Sequence, residues 1–261
     1  MSKMYKFDVS EYKLSNSCFG RPLCFAVISD LHSGKKTVIS DMIKTVKEKR
    51  PDYILMPGDI FERLDGSEPE LKVAGFELIG TLSQICPVFM SIGNHENGGI
   101  GSWNVIKWSK IKSLPKIFDC DELDRIFECG ATLLDDGYVI EDGIAFGGLS
   151  SGLINENRTP DISWLDGFCE LDVPKVLLCH HPEYYKKYLK DRNIDLIVSG
   201  HAHGGQWRVF GRGVFAPGQG IFPKYTSGVH DGHFVISRGL DPSGTIPRIF
   251  NTPEIVFVSV N

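Results

Sequence analysis

Along the first half of the chain, short unbroken apolar runs alternate with longer segments in which apolar residues recur every three or four positions. Residues 23–29 (LCFAVIS) form such a run, dense enough for a strand buried on both faces. Residues 38–50 (VISDMIKTVKEKR) instead place Ile39, Met42, Ile43 and Val46 on one helical face, and Pro51 ends the pattern. The alternation continues with a strand over 53–57, a helix near 68–85 and a strand over 87–92. Residues 97–118 break it, with two tryptophans, four lysines and no acidic residue, and read as an insertion. Beyond them the pattern predicts a helix near 121–129 and strands around 132–135, 138–141 and 144–148. Strands follow at 175–179 and 195–199 with a helix between them, and after a tract of Gly-Pro loops a final strand spans 254–260. This β-α alternation predicts an α/β sheet with helices on both faces. A length of 261 residues fits one domain over 1–261.

The ends of these runs carry the chemistry. Asp30 and His32 follow CFAVIS, Asp59 follows YILMPG, and Asn94-His95-Glu96 follow VFMSIG. His180-His181 follow KVLLC, and His201 and His203 follow LIVSG. Side chains just past the carboxyl ends of neighbouring strands can converge on one pocket. Any single junction is ordinarily a solvated strand end or a histidine satisfied in the core. Six of the eight histidines at four of five junctions make chance a poor account. Asp30, His32, Asp59, Asn94, one of His180 or His181, His201 and His203 exceed the needs of one tetrahedral ion. They suit two divalent ions sharing a carboxylate. Asp59 is the natural bridge, since Gly58 lets the backbone turn tightly before it. Two divalent ions against two aspartates leave a positive site that attracts phosphate.

In this order and spacing, DLH, GDIFER, GNHE, LLCHHP and GHAHGGQ resemble the motifs of the calcineurin-like metallophosphoesterases. The tail GVFAPGQGIFPKYTSG, with VISRGL after it, resembles the bacterial YkuE/YaeI-type phosphodiesterase branch. The resemblance implies a four-layer α/β-β/α sandwich of two mixed sheets flanked by helices. It implies one ion on Asp30, His32, Asp59 and His203 and another on Asp59, Asn94, His180 and His201, the metals being Mn, Fe or Zn. His95 matches the histidine that binds no metal and stabilises the transition state or protonates the leaving oxygen. Glu96 is read as its orienting partner, and His181 as a loop residue outside the ligand set. The implied reaction is hydrolysis of a small phosphorylated substrate by a hydroxide bridging the two metals, a diester or pyrophosphate ahead of a monoester. There are departures: Glu62 stands where the family commonly has Asp, and Leu64 replaces the glycine that follows the phosphate-binding arginine of the protein-phosphatase branch. Arg63 is therefore read as a surface residue. GDIFE also lacks the tyrosine that marks purple acid phosphatases.

Composition trims the alternatives. A net charge of −5 disfavours a nucleic-acid partner held on a generally basic surface. A nuclease is one rival reading, and a non-catalytic, protein-binding scaffold of the same fold is another. Seven cysteines without a CxxC pair argue against a disulfide framework or a zinc knuckle. The first residues lack the apolar core of a signal peptide, and no run approaches the roughly 18 apolar residues of a membrane span, so a cytoplasmic protein is expected. Three readings of 97–118 stay open: a basic, aromatic lid over the pocket, a surface helix burying its tryptophans, or a membrane-surface contact. Gly204-Gly205-Gln206 are expected to turn the backbone beneath the metals, and Trp207 to pack in the core or line the pocket wall.

Overall fold

The structure is a computed structural model, and it describes residues 6–15, 17–32, 36–61, 69–96, 125–152, 160–241 and 247–261. The expected insertion at 97–118, together with Glu62 and Arg63, lies outside the described residues. One six-stranded sheet runs in the order β1 (Asp8–Leu14), β16 (Glu254–Val260), β2 (Leu23–Val27), β3 (Tyr53–Met56), β4 (Val88–Ser91) and β5 (Ala131–Leu134). Its strands are parallel except where β16 meets β2. The other runs β14 (Gly228–His230), β15 (Phe234–Ile236), β9 (Leu196–Ser199), β8 (Lys175–Cys179), β7 (Ile144–Leu149) and β6 (Gly137–Glu141). Only its two edge pairs, β14 with β15 and β6 with β7, are antiparallel.

Alternation along the strands explains why the sheets stack. Phe25, Val27, Tyr53, Leu55 and Phe89 of the first sheet share one buried cluster with Phe146, Val176, Leu178 and Val198 of the second. Phe89 and Phe146 stack across that interface with ring centroids 3.9 Å apart. The opposite face of the first sheet, with Ala26, Ile54, Met56 and Met90, packs against Met42 and Val46 of α1 (Lys36–Lys49) and Phe76, Ile79 and Leu82 of α2 (Pro69–Ser83). The outer face of the second sheet, through Leu177, Ile197 and Ile236, covers Leu165 and Phe168 of α3 (Leu165–Cys169). The four layers are thus helix, sheet, sheet and helix, as the family resemblance implied.

Two elements differ from the hydropathy reading. The strand β1 was not predicted, because most of its side chains lie towards solvent and its apolar positions are sparse; its pairing with β16 is carried by the backbone. The helix expected between β8 and β9 is a single π turn at Tyr185–Leu189, closed by the Lys190 N–H donating to the Tyr185 carbonyl at 2.8 Å. The wider turn buries both Tyr185 and Leu189, and the Tyr185 hydroxyl donates to Asp231 at 2.9 Å. Among the described residues no helix is long and apolar enough to cross a membrane.

Candidate metal centre

Because β2, β3 and β4 are parallel, and β8 and β9 likewise, their carboxyl ends gather the five polar junctions at one end of the sandwich. The backbone there is held in an unusual state. Asp30 (φ 49), His32 (φ 47), Asp59 (φ 53), His201 (φ 64) and His203 (φ 45) all lie in the left-handed region. Each such non-glycine residue costs about 1–2 kcal/mol, which persists only where the surroundings impose it. The glycines of the β3 and β4 loops permit the close approach. Gly58 has φ +103, and a Cβ on it would stand 2.6 Å from the Gly93 Cα; a Cβ on Gly93 would stand 2.2 Å from Asp59 Oδ1.

Asp59 lies at the middle of the gathered side chains. Its Oδ2 is 3.0 Å from His180 Nε2, 3.9 Å from His95 Nε2 and 4.0 Å from His32 Nε2. The Asn94 Oδ1 is 3.1 Å from the same His180 nitrogen. The other His180 nitrogen, Nδ1, lies 2.9 Å from the Pro57 carbonyl and donates to it, which turns Nε2 towards the aspartate. Asp30 accepts from the His201 backbone N–H at 2.9 Å and lies 3.5 Å from His203 Nε2. Donor atoms of Asp30, His32 and His203 fall within 4.8 Å of one another, and so do those of Asp59, His180 and His201. The fit to cations is also electrostatic. Asp30 Oδ2 is buried without a hydrogen-bond partner among the described residues, a state that is costly for a carboxylate unless a cation serves it. Carboxylate, amide and imidazole donors together suit divalent transition metals.

A family model of the calcineurin-like phosphoesterases matches residues 24–205, which hold every junction described above. This chain belongs to that family. Phosphodiesterase YaeI of Escherichia coli is 27% identical to this chain over 227 residues, covering 84% of this chain and 75% of its own. YkuE, an uncharacterized metallophosphoesterase of Bacillus subtilis, is 27% identical over 239 residues, with 87% and 75% covered. The bacterial branch expected from the tail motif therefore holds. A Caenorhabditis elegans protein named as a metallophosphoesterase is 26% identical over 247 residues, 90% of this chain, and this chain spans 48% of the worm protein's length. A dimetal phosphatase from Danio rerio aligns over 83% of this chain and 87% of its own, at a TM-score of 0.48 and 11% identity.

Within the candidate centre, burial and neighbouring charge compete. Burial opposes ionisation of Asp59, but His180 and His95 beside it hold its carboxyl well below the usual range. Burial also opposes a charged His180, yet Asp59 prevails and pushes that imidazole up to about 9. Asp30 is pushed up, chiefly by burial. His201 and His203 are held well below their ordinary value by burial first, then by His181 and Arg248 respectively. They stand as neutral imidazoles with lone pairs to offer.

Three residues act differently from the sequence reading or escaped it. Glu96, expected to orient the His95 ring, has both oxygens engaged by four backbone N–H groups: Asp59 (2.9 Å), Ile60 (2.8 Å), Phe61 (3.1 Å) and Gly93 (2.9 Å). It organises the two loops themselves, and Asp59 Oδ1 accepts from the His95 backbone N–H at 2.8 Å. Glu183 was missed because it sits in the turn four residues after the end of β8. Its Oε1 is 3.1 Å from His181 Nδ1 and 3.9 Å from His201 Nε2, and His181 and Glu183 form a further group with His201, apart from the three groups that contain Asp30 or Asp59, one of which also takes in His95. Burial resists the Glu183 charge, but His181 and then His201 offset it and bring the carboxyl down to about 2. Arg248 was missed because no motif surrounds it; its Nη2 lies 3.1 Å from His203 Nδ1 while Nη1 donates to the Arg238 carbonyl at 2.7 Å. The Gly204-Gly205-Gln206 turn is present, with φ of 64, 79 and 56. Trp207 does not pack in the core: it is 42% exposed and donates from Nε1 to the Pro247 carbonyl at 3.1 Å.

Proposed function

We propose that this chain hydrolyses a phosphoester, a diester or pyrophosphate ahead of a monoester. Asp30, His32, Asp59 and His203 hold one divalent ion, and Asp59, Asn94, His180 and His201 hold the other. The observation that carries this reading is the place of Asp59, whose single Oδ2 faces histidines belonging to both sets. Mn, Fe or Zn bound there supplies Lewis acidity, making water nucleophilic at neutral pH and offsetting charge on the phosphoryl oxygens. The chain's own work is positioning. Pro57 fixes the His180 tautomer, and Glu96 fixes the loops that carry Asp59 and Asn94. His95 reaches the opening of the site, its side chain 17% exposed against 2% for Asp59. As an oxygen from water bonds to phosphorus and the bond to the leaving oxygen breaks, the electron pair goes to the leaving oxygen and a proton on the His95 ring goes with it. The preference for a diester rests on the likeness to a relative named as a phosphodiesterase.

The test is a reconstitution of the full chain with Mn, Fe or Zn. It is followed by a panel of phosphomonoesters, phosphodiesters, nucleotide pyrophosphates and oligonucleotides, each before and after chelation. Turnover of a diester or pyrophosphate that chelation abolishes is the expected result. Two bound ions without turnover of any substrate would sink the hydrolytic reading and favour a protein-binding scaffold.

A further inference from the structure

Of the eleven large apolar side chains exposed among the described residues, seven fall within 207–222 and 249–250. Phe210 is fully exposed, Phe250 is 88% exposed, and Ile221 and Phe222 are 74% and 71% exposed. Phe210 stands at the tip of the hairpin formed by β10 (Arg208–Val209) and β11 (Arg212–Gly213). Phe222 directly follows the hairpin of β12 (Phe215–Ala216) and β13 (Gly220–Ile221). Backbone bonds join these stretches into one area of surface. Val214 donates to Trp207 at 2.8 Å, Phe222 donates to Val214 at 2.8 Å, and Arg208 donates to Ile249 at 3.0 Å.

Two further observations say what this surface meets. Phe210 (φ 49), Phe222 (φ 51) and Phe250 (φ 52) all hold left-handed backbone, which is strained for a bulky residue. Within the chain that strain buries nothing, since all three rings point into solvent. The two stretches of sequence that carry these rings have a charge opposite in sign to the whole chain's. No acidic residue stands between Asp195 and Asp231, a tract holding Arg208, Arg212 and Lys224, and none stands in 247–253, which holds Arg248, whereas the whole chain carries −5. Aromatic rings interleaved with cations suit an apolar layer beneath anionic headgroups. Rings projecting singly from separate turns also suit a fluid surface that closes around each, rather than the continuous packed face of a protein interface.

We propose that this surface docks on an anionic lipid bilayer, with Phe210, Phe222 and Phe250 entering below the headgroups and Arg212 and Lys224 lying beside lipid phosphates. The surface borders the candidate centre, because Arg248, next to Ile249 and Phe250, lies 3.1 Å from His203 Nδ1. Docking therefore sets that centre against the bilayer. The inference does not depend on hydrolysis and is tested without it.

The full chain, freed of metal, is sedimented with vesicles of phosphatidylcholine alone or with phosphatidylglycerol added. Binding to the anionic vesicles that weakens with salt is expected. The triple variant Phe210→Asn, Phe222→Asn and Phe250→Asn suits the backbone, since Asn tolerates the left-handed region. It should bind about a thousandfold more weakly, each of the three lost rings being worth roughly tenfold or more when buried. Its melting temperature should match the unaltered chain's. Arg212→Glu with Lys224→Glu should weaken binding and flatten its salt dependence. No binding to either vesicle, or equal binding by the triple variant, overturns the proposal. A concentration-dependent dimer of the unaltered chain that fails to bind vesicles, and that the triple variant abolishes, would assign the surface to self-association and overturn it too.

Discussion

Glu96 gives the sharpest quantitative test of how this centre is held. Its carboxylate accepts from the backbone N–H groups of Asp59, Ile60, Phe61 and Gly93, all buried and all within 3.1 Å. Glu96→Ala leaves four buried donors without an acceptor, each costing about 1–3 kcal/mol. Water entering the vacated space recovers part of this, so the low end of the sum, about 4 kcal/mol, is expected. Glu96→Gln keeps the shape and one acceptor oxygen but turns an amide NH2 towards two backbone donors. About half the alanine effect, roughly 2 kcal/mol, should follow. For a chain of this size 1 kcal/mol moves the melting temperature by about 2–4 °C. The alanine variant should therefore melt about 8–16 °C lower and the glutamine variant about 4–8 °C lower. Circular dichroism melting of metal-free protein reads the shift, and metal titration of the same samples shows whether the Asp59 and Asn94 loops still present their side chains. A glutamine variant that melts within about 2 °C of the unaltered chain would refute the reasoning, because the four donors would then have partners other than this carboxylate.

Asp59→Asn should lower affinity for both ions, read as metal per chain after dialysis; loss of one ion alone would show that Asp59 is not shared. His95→Gln should keep two ions while turnover falls about 10²–10⁴-fold, and metal loss in that variant would mean its role is misassigned. The His180 imidazole is raised to about 9, so its stabilising pairing with Asp59 is complete below its ordinary value of 6.5 and lost as pH rises through 9. Zinc added at pH 7 should accordingly release a proton, visible as a dependence of the calorimetric heat on buffer ionisation, and Asp59→Asn should reduce that release. Glu183 lies at about 2 against an ordinary 4.5, so its stabilisation is complete above 4.5 and disappears as pH falls towards 2. Glu183→Gln should cost on the order of 3 kcal/mol in urea unfolding near neutrality. The gap to the unaltered chain should narrow below pH 4.5, and a gap constant down to pH 3 would dissociate the effect from ionisation.

How much of this was legible in the sequence depends on where each contact partner lies along the chain. Buried parallel strands read as apolar runs, and their terminal polar residues stand at fixed offsets, so Asp30, His32, Asp59, Asn94, His201 and His203 could be named from the strand ends, whereas the choice of His180 over His181 came from the family resemblance. The strand β1 could not, because half-exposed pairing with β16, 244 residues away from Ser10 to Glu254, leaves no local periodicity. Glu183 and Arg248 escaped for a related reason. Each meets its histidine through a turn, so neither strand period nor motif spacing announces it. Glu96 is the more instructive case. The GNHE motif names the residue and invites a role for its side chain on the neighbouring imidazole, yet its oxygens serve peptide groups on a loop 35 to 37 residues away. Backbone donors carry no sequence identity, so no reading of residue types finds them. The left-handed backbone at Asp30, His32, Asp59, His201 and His203 has the same origin: it is imposed by packed loops on residues whose side chains, taken alone, give no reason for it. The identity of the candidate ligands is thus written locally, whereas their placement is written in the peptide groups that Glu96 and the close-packed glycines bring together.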